Sequence, residues 1–203
     1  MPRTRLAALA VAAFALVACG RDATAPASQL RSDEAQTLAL SMAASGDAYA
    51  GAYAMPDLVA LAPAATVPFG PIAYTTEHPC PRGGTIVPDI SVSGQLDMQA
   101  RSMTVDISGT ETPKACAYPV RGNTITVTGN PDMAVTAHMA AANGVPTGAQ
   151  TFTQKGAFTW TASDGRSGSC ALDISSSTDF AKNLRTVTGT FCGRSFSSSG
   201  PIR

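Results

Sequence analysis

Charge is scarce in this chain. Only 14% of its 203 residues are Asp, Glu, Lys or Arg, there are two histidines, and Trp160 is the single tryptophan. No cluster of Lys and Arg marks a nucleic-acid surface, which would need many basic side chains on one face. No pair of cysteines has the short spacing of a structural zinc site, and His78 and His138 lie far apart. No run of alternating acidic residues followed by a distal Glu offers a calcium loop. The longest apolar segment, Leu6 to Val17, is twelve residues, short of the roughly 20 that a membrane-crossing helix requires. Neither a metal nor a cofactor is expected.

What the chain has instead is Gly, Thr, Ser and Ala in abundance, with alternation of apolar and polar residues from Thr85 onward. Ile86, Ile90, Val92, Leu96 and Met98 share one parity. Met103, Val105 and Ile107 alternate with Thr104, Asp106 and Ser108; Ile125 and Val127 alternate with threonines. Met133, Val135, Ala137 and Met139 continue the pattern beyond Asn130-Pro131, then Phe152, Phe158, Trp160 and Ala162, then Leu172 and Ile174, then Val187 and Phe191. Successive side chains of a strand point to opposite faces, so this is a sheet with one apolar face and one Thr/Ser face. Asn143-Gly144 and Asp164-Gly165 supply turn chemistry between the runs. No helix-length segment separates the strands, which excludes parallel crossovers. The predicted fold is mainly β: a single strongly curved antiparallel sheet or barrel-like meander of seven to nine strands, with one N-terminal helix.

That helix is expected from Asp33 to about Ser45, capped by Ser32 or Asp33 and stopped at Gly46, with Ala35, Leu38, Ala39 and Met42 as its packing face. Prolines at 56, 63, 68 and 71 predict irregular structure up to Pro71, with at most a short helix around Asp57 to Leu61. The expected organisation is residues 1–18 as an export signal, 19–32 as a flexible tether, 33–71 as the helix and Pro/Ala-rich segment, and 72–203 as the antiparallel domain. A remainder of 203 − 18 = 185 residues suits one domain. The signal takes Arg3 and Arg5 with it, so 14 − 2 = 12 basic side chains face 14 acidic ones, a formal charge of −2.

The start of the chain is the most specific signal. Arg3 and Arg5 precede the apolar segment, which ends in Leu16-Val17-Ala18-Cys19. This run resembles the lipobox of bacterial lipoproteins. The resemblance implies cleavage before Cys19, attachment of a diacylglycerol to its sulfur and palmitate-type acylation of its amine, so that the mature chain is tethered to a membrane through lipid. It implies a cell-envelope location, with the outer membrane favoured where the host has one, because Gly20 rather than Asp follows the cysteine.

With Cys19 lipidated, Cys80, Cys116, Cys170 and Cys192 remain, an even number that suits disulfides in an oxidising compartment. Three pairings are possible. Neighbours in a meander favour Cys80 with Cys116 and Cys170 with Cys192. The second pair carries a conflict, since placing Cys170 opposite Cys192 sets Leu172 against Thr190 rather than Phe191. A bulge between Thr190 and Gly193 would reconcile the two registers.

No catalytic constellation is apparent. His138 has the parity of the polar face, the Ser169 region is not a strand-to-helix elbow, and the carboxylates are scattered. Met98, Met103, Met133, Met139, Phe152, Phe158, Trp160 and Phe191 share the apolar face and are the candidate lining for an apolar ligand, with a filled core as the alternative. The leading expectation is a non-enzymatic module, structural or binding an envelope protein. A carrier of an apolar small molecule or lipid comes second and an envelope hydrolase third.

Overall fold

A computed structural model of the chain describes residues 29–53, 66–129 and 132–202, with side chains of the helix given as far as residue 45. The expected signal and tether up to residue 28, Cys19, the Asp57 to Leu61 segment and the Asn130-Pro131 turn lie outside these residues. Among the described residues one helix, α1 (Ser32–Tyr53), precedes twelve strands: β1 (Thr66–Tyr74), β2 (His78–Pro79), β3 (Thr85–Asp97), β4 (Ser102–Lys114), β5 (Cys116–Val120), β6 (Asn123–Gly129), β7 (Met133–Ala142), β8 (Val145–Pro146), β9 (Ala149–Ala162), β10 (Ser167–Asp179), β11 (Leu184–Phe191) and β12 (Arg194–Pro201).

All strands belong to one antiparallel sheet, whose principal order is β1-β3-β4-β7-β9-β10-β11-β12. The order is a meander, because two apparent interruptions are one long hairpin. Ser102 pairs with Ala142 and Glu111 with Met133; further along, Cys116 pairs with Val127 and Val120 with Asn123. β4 and β5 therefore form one arm and β6 and β7 the other, with the register shifting by one residue near Ala115, whose φ is +49°. β9 runs beside both halves of the second arm, pairing with β6 at one end and β7 at the other.

The sheet is curved and open. Among the described residues β1 and β12 stand at the two ends of the principal order and do not pair with one another, so it is a curled sheet and not a closed barrel. Gly109 and Gly189, at φ of +153° and +144°, bring strands close enough that a Cβ would lie 2.3 Å from the Asp89 carbonyl oxygen and 2.1 Å from that of Asp173. Only glycine permits that approach.

Turn chemistry closes the hairpins. Arg121-Gly122, Asn143-Gly144 and Cys192-Gly193 each place two consecutive residues at positive φ between directly paired flanks, the type I′ geometry that matches strand twist.

α1 departs from its expected limits at both ends. It begins at Ser32, and the capping bond runs from the Arg31 amide to the Glu34 carboxylate at 3.1 Å, so Ser32 is inside the helix rather than its cap. It passes through Gly46 to Tyr53, because the Ala-rich stretch that follows restores the helical preference one glycine removes. β1 likewise begins at Thr66, ahead of the expected boundary at residue 72, and accommodates Pro68 and Pro71 as an edge strand with a register break between Phe69 and Ile72.

Candidate functional site

The apolar face of the sheet is the only extended chemical feature that the described residues build, and it falls into two clusters. The larger joins Leu38, Ala39, Met42 and Ala43 of α1 to Tyr118, Ile125, Val127, Met133, Phe158, Trp160, Leu172, Ile174, Val187 and Phe191. Here α1 lies on β5, β9, β10 and β11. Trp160 is 1% exposed, and the Phe158 and Phe191 rings meet at 5.5 Å between centroids. The smaller cluster gathers Ile90, Val92, Val105, Ile107, Val135, Ala137, Met139 and Phe152, with Phe69, Tyr74 and Met103 against it.

The expected ligand-lining residues thus divide. Met133, Phe158, Trp160 and Phe191 enter one cluster, and Met139, Phe152 and Met103 the other. Met98 joins neither, because β3 ends at Asp97 and Met98 sits half-buried in the following turn.

A polar pair interrupts the smaller cluster's boundary. Glu111 of β4 and Gln154 of β9, each 3% exposed, reach toward one another across β7, and Gln154 Nε2 donates to Glu111 Oε2 at 3.3 Å. Glu111 has the phase of Val105 and Ile107; Gln154 has that of Phe152 and Phe158, so strand geometry forces both inward. Burial pushes the Glu111 carboxyl up to about 7, against the smaller opposing pull of the Gln154 hydrogen bond. Gln154 Oε1 and the indole Nε1 of Trp160 are buried without a hydrogen-bond partner among the described residues. Parity carried the signal for Glu111 and Gln154, as polar residues in an apolar phase.

A second polar cluster fastens α1. Arg166, in the β9–β10 connection, donates to both oxygens of Glu34 at 2.6 and 2.9 Å, and its Nε donates to Asp164 at 2.9 Å. Burial acts to raise the Glu34 carboxyl, but hydrogen bonds from Arg166, the Arg31 amide and Asn123 outweigh it and hold the group below its ordinary value. The same contacts hold the Arg166 guanidinium more firmly protonated. No local pattern marks this clamp, whose partners are 132 residues apart.

Two disulfides staple the larger cluster. Cys80 bonds to Cys116 and Cys170 to Cys192. The register conflict at the second bridge resolves in favour of packing: Leu172 faces Phe191, and Cys192 leaves the ladder as the first residue of the β11–β12 turn. There its amide donates to the Ala171 carbonyl at 2.9 Å while the sulfur reaches Cys170. A turn residue does what the expected bulge would have done. The two bridges are the chemistry of an oxidising compartment.

His138 lies on the outer face, its Nδ1 2.7 Å from Asp106. His78 stacks on Tyr74 at 5.9 Å, and burial lowers its pKa. Among the described residues no three His, Cys, Asp or Glu side chains converge to hold a metal ion, and no helix is long and apolar enough to cross a membrane. Comparison with protein families, with curated proteins and with solved structures gives no match.

Proposed function

We propose that this protein is a lipid-anchored module of the cell envelope, held through Cys19 at a membrane surface, whose β domain acts by binding another envelope protein and not by catalysis. The observation that carries this reading is that the apolar face is packed by the chain's own side chains. Trp160, Phe158 and Phe191 are each 1% exposed in a cluster sealed by α1. A face filled in this way leaves the outer surface as the part available for recognition. The disulfides suit an extracytoplasmic site, and Gly20 after Cys19 favours the outer membrane.

The carrier of an apolar molecule stands as the second reading because of Glu111 and Gln154. A few polar groups set in an apolar surface are what orients an amphiphile in a binding site.

Two measurements test the proposal. Wild type should incorporate labelled palmitate and partition with detergent, whereas Cys19→Ser should do neither; unlabelled wild type removes the anchor. Fatty acids, phospholipids or a hydrophobic dye should leave Trp160 emission unchanged. A saturable response, with a rise in melting temperature by mass action, replaces the binding module with the carrier.

A further inference from the structure

We infer that the free edge of β12 is a docking site for a second copy of this chain, which adds its own β12 antiparallel across a two-fold axis at Ser197. This goes beyond the module proposed above, and it stands or fails on separate measurements.

The two edges of the sheet are unlike. β1 carries Pro68 and Pro71 and a register break, devices that blunt an edge against further pairing. β12 is eight residues long, pairs with β11 without a break from Arg194 to Pro201, and has neither an internal proline nor any charge beyond Arg194. An unbroken, uncharged edge is a template for strand addition.

The hairpin geometry says which backbone groups are offered. Cys192-Gly193 is a two-residue type I′ turn, so its flanking residues, Phe191 and Arg194, form a hydrogen-bonded pair. The alternation of an antiparallel ladder then turns Arg194, Phe196, Ser198 and Gly200 toward β11. Ser195, Ser197 and Ser199 turn their N–H and C=O groups outward.

Those groups are self-complementary in one register. With Ser197 opposite Ser197 of the second copy, each Ser195 meets a Ser199, and all three outward residues of each strand find matching donors and acceptors. Sliding by two residues toward the C-terminus sets Ser195 against Pro201, which has no N–H. Sliding the other way sets Ser199 against Gly193, which is in the turn at φ +75°. The central register also puts Arg194 opposite Gly200, so no like charges oppose.

Side chains agree. Phe196 lies on the apolar face, half-buried against the larger cluster. In the two-fold register it sits opposite Ser198 and diagonal to the second Phe196, about 7 to 8 Å away and within reach of an aromatic ring. Phe196 carries the apolar contact across the junction. An isologous contact of this kind closes on itself as a dimer.

The full chain, purified from membranes in density-matched detergent, should sediment at twice the protomer mass. Ser197→Pro removes the central outward N–H, which an edge strand tolerates. It should halve the mass while leaving the far-ultraviolet dichroism of the folded protomer unchanged. Ser197→Cys should cross-link spontaneously under oxidation, since hydrogen-bonded partners lie about 5.5 Å apart at Cα, inside the disulfide range. Ser195→Cys should not, because it faces Ser199. A monomeric wild type, or a dimer that survives Ser197→Pro without the Ser197→Cys cross-link, overturns the inference. So does a monomer whose β12 amides gain exchange protection only with a different chain, although that result leaves the binding-module reading intact. Palmitate labelling and the Trp160 titration report on that reading alone.

Discussion

Two glutamates buried in this protein meet opposite electrostatic fates. Glu111 has one amide for company, and burial holds its carboxyl at about 7 against an ordinary 4.5. Below 4.5 the folded and unfolded chains are both protonated and the group is neutral in its effect. As pH rises toward 7 the unfolded chain releases this proton while the folded one keeps it, so stability falls; above 7 both are ionised and the loss is complete. At about 1.4 kcal/mol per unit the loss is roughly 3 kcal/mol. Urea unfolding of wild type and Glu111→Gln across this range should show that component in wild type only; equal slopes would sink the assignment. Glu34 is ionised and clamped by Arg166 instead. Its carboxyl is held below the ordinary value, so its stabilisation is present at neutral pH and lost as acid protonates it. Removing one member of a buried ion pair strands the other, so Glu34→Ala should cost about 3 kcal/mol in denaturant unfolding. A cost within error of zero would mean that α1 is held by its apolar face alone.

At the scale of elements, much was legible because strand parity is a local property. Val105, Ile107, Val135, Phe158 and Trp160 all face the side their phase dictates, and Asn143-Gly144 turns as its chemistry requires. The same parity places Glu111 and Gln154 inside, where a polar residue in an apolar phase is the only local sign of their burial. Features that depend on distant partners were not legible. The Glu34–Arg166 clamp joins residues 132 apart in sequence, and whether a curved sheet closes depends on the summed twist of all its strands. The Cys170–Cys192 bridge lies between these cases: the pairing followed from neighbour order, but the register needed the Cys192-Gly193 turn, a signal masked by cysteine at a position usually taken by Asn or Asp. Its residues are 22 apart in sequence, for which loop closure gives about 3 kcal/mol. The paired replacement Cys170→Ala with Cys192→Ala should lower stability by that amount and leave the far-ultraviolet dichroism unchanged. Loss of the β signal would show that the bridge holds β11 in the sheet at all.

For the molecule as a whole, the question is whether two apolar clusters make one folding unit or two. Both disulfides and the described apolar face of α1 belong to the larger cluster, and the smaller one has none of these supports. Yet β3 carries Ile86 into the first and Ile90 and Val92 into the second; β7 does the same with Met133 and Val135, and β9 with Trp160 and Phe152. Three strands thread both clusters. Opening the smaller would break the β4, β7 and β9 ladders part-way along and expose the apolar side chains of the larger cluster that abut the break. The clusters should therefore unfold together. Trp160 emission reports the larger, and the individually resolved ring resonances of Tyr74 and Phe152 in nuclear magnetic resonance report the smaller, so the thermal transitions followed by the two should coincide. Reducing both bridges removes roughly 2 to 4 kcal/mol apiece. Because the strands are shared, the reduced protein should still melt in one transition, displaced to lower temperature for both probes alike. Separate midpoints, with only the Trp160 transition moved by reductant, would show that the sheet folds as two halves joined by continuous strands.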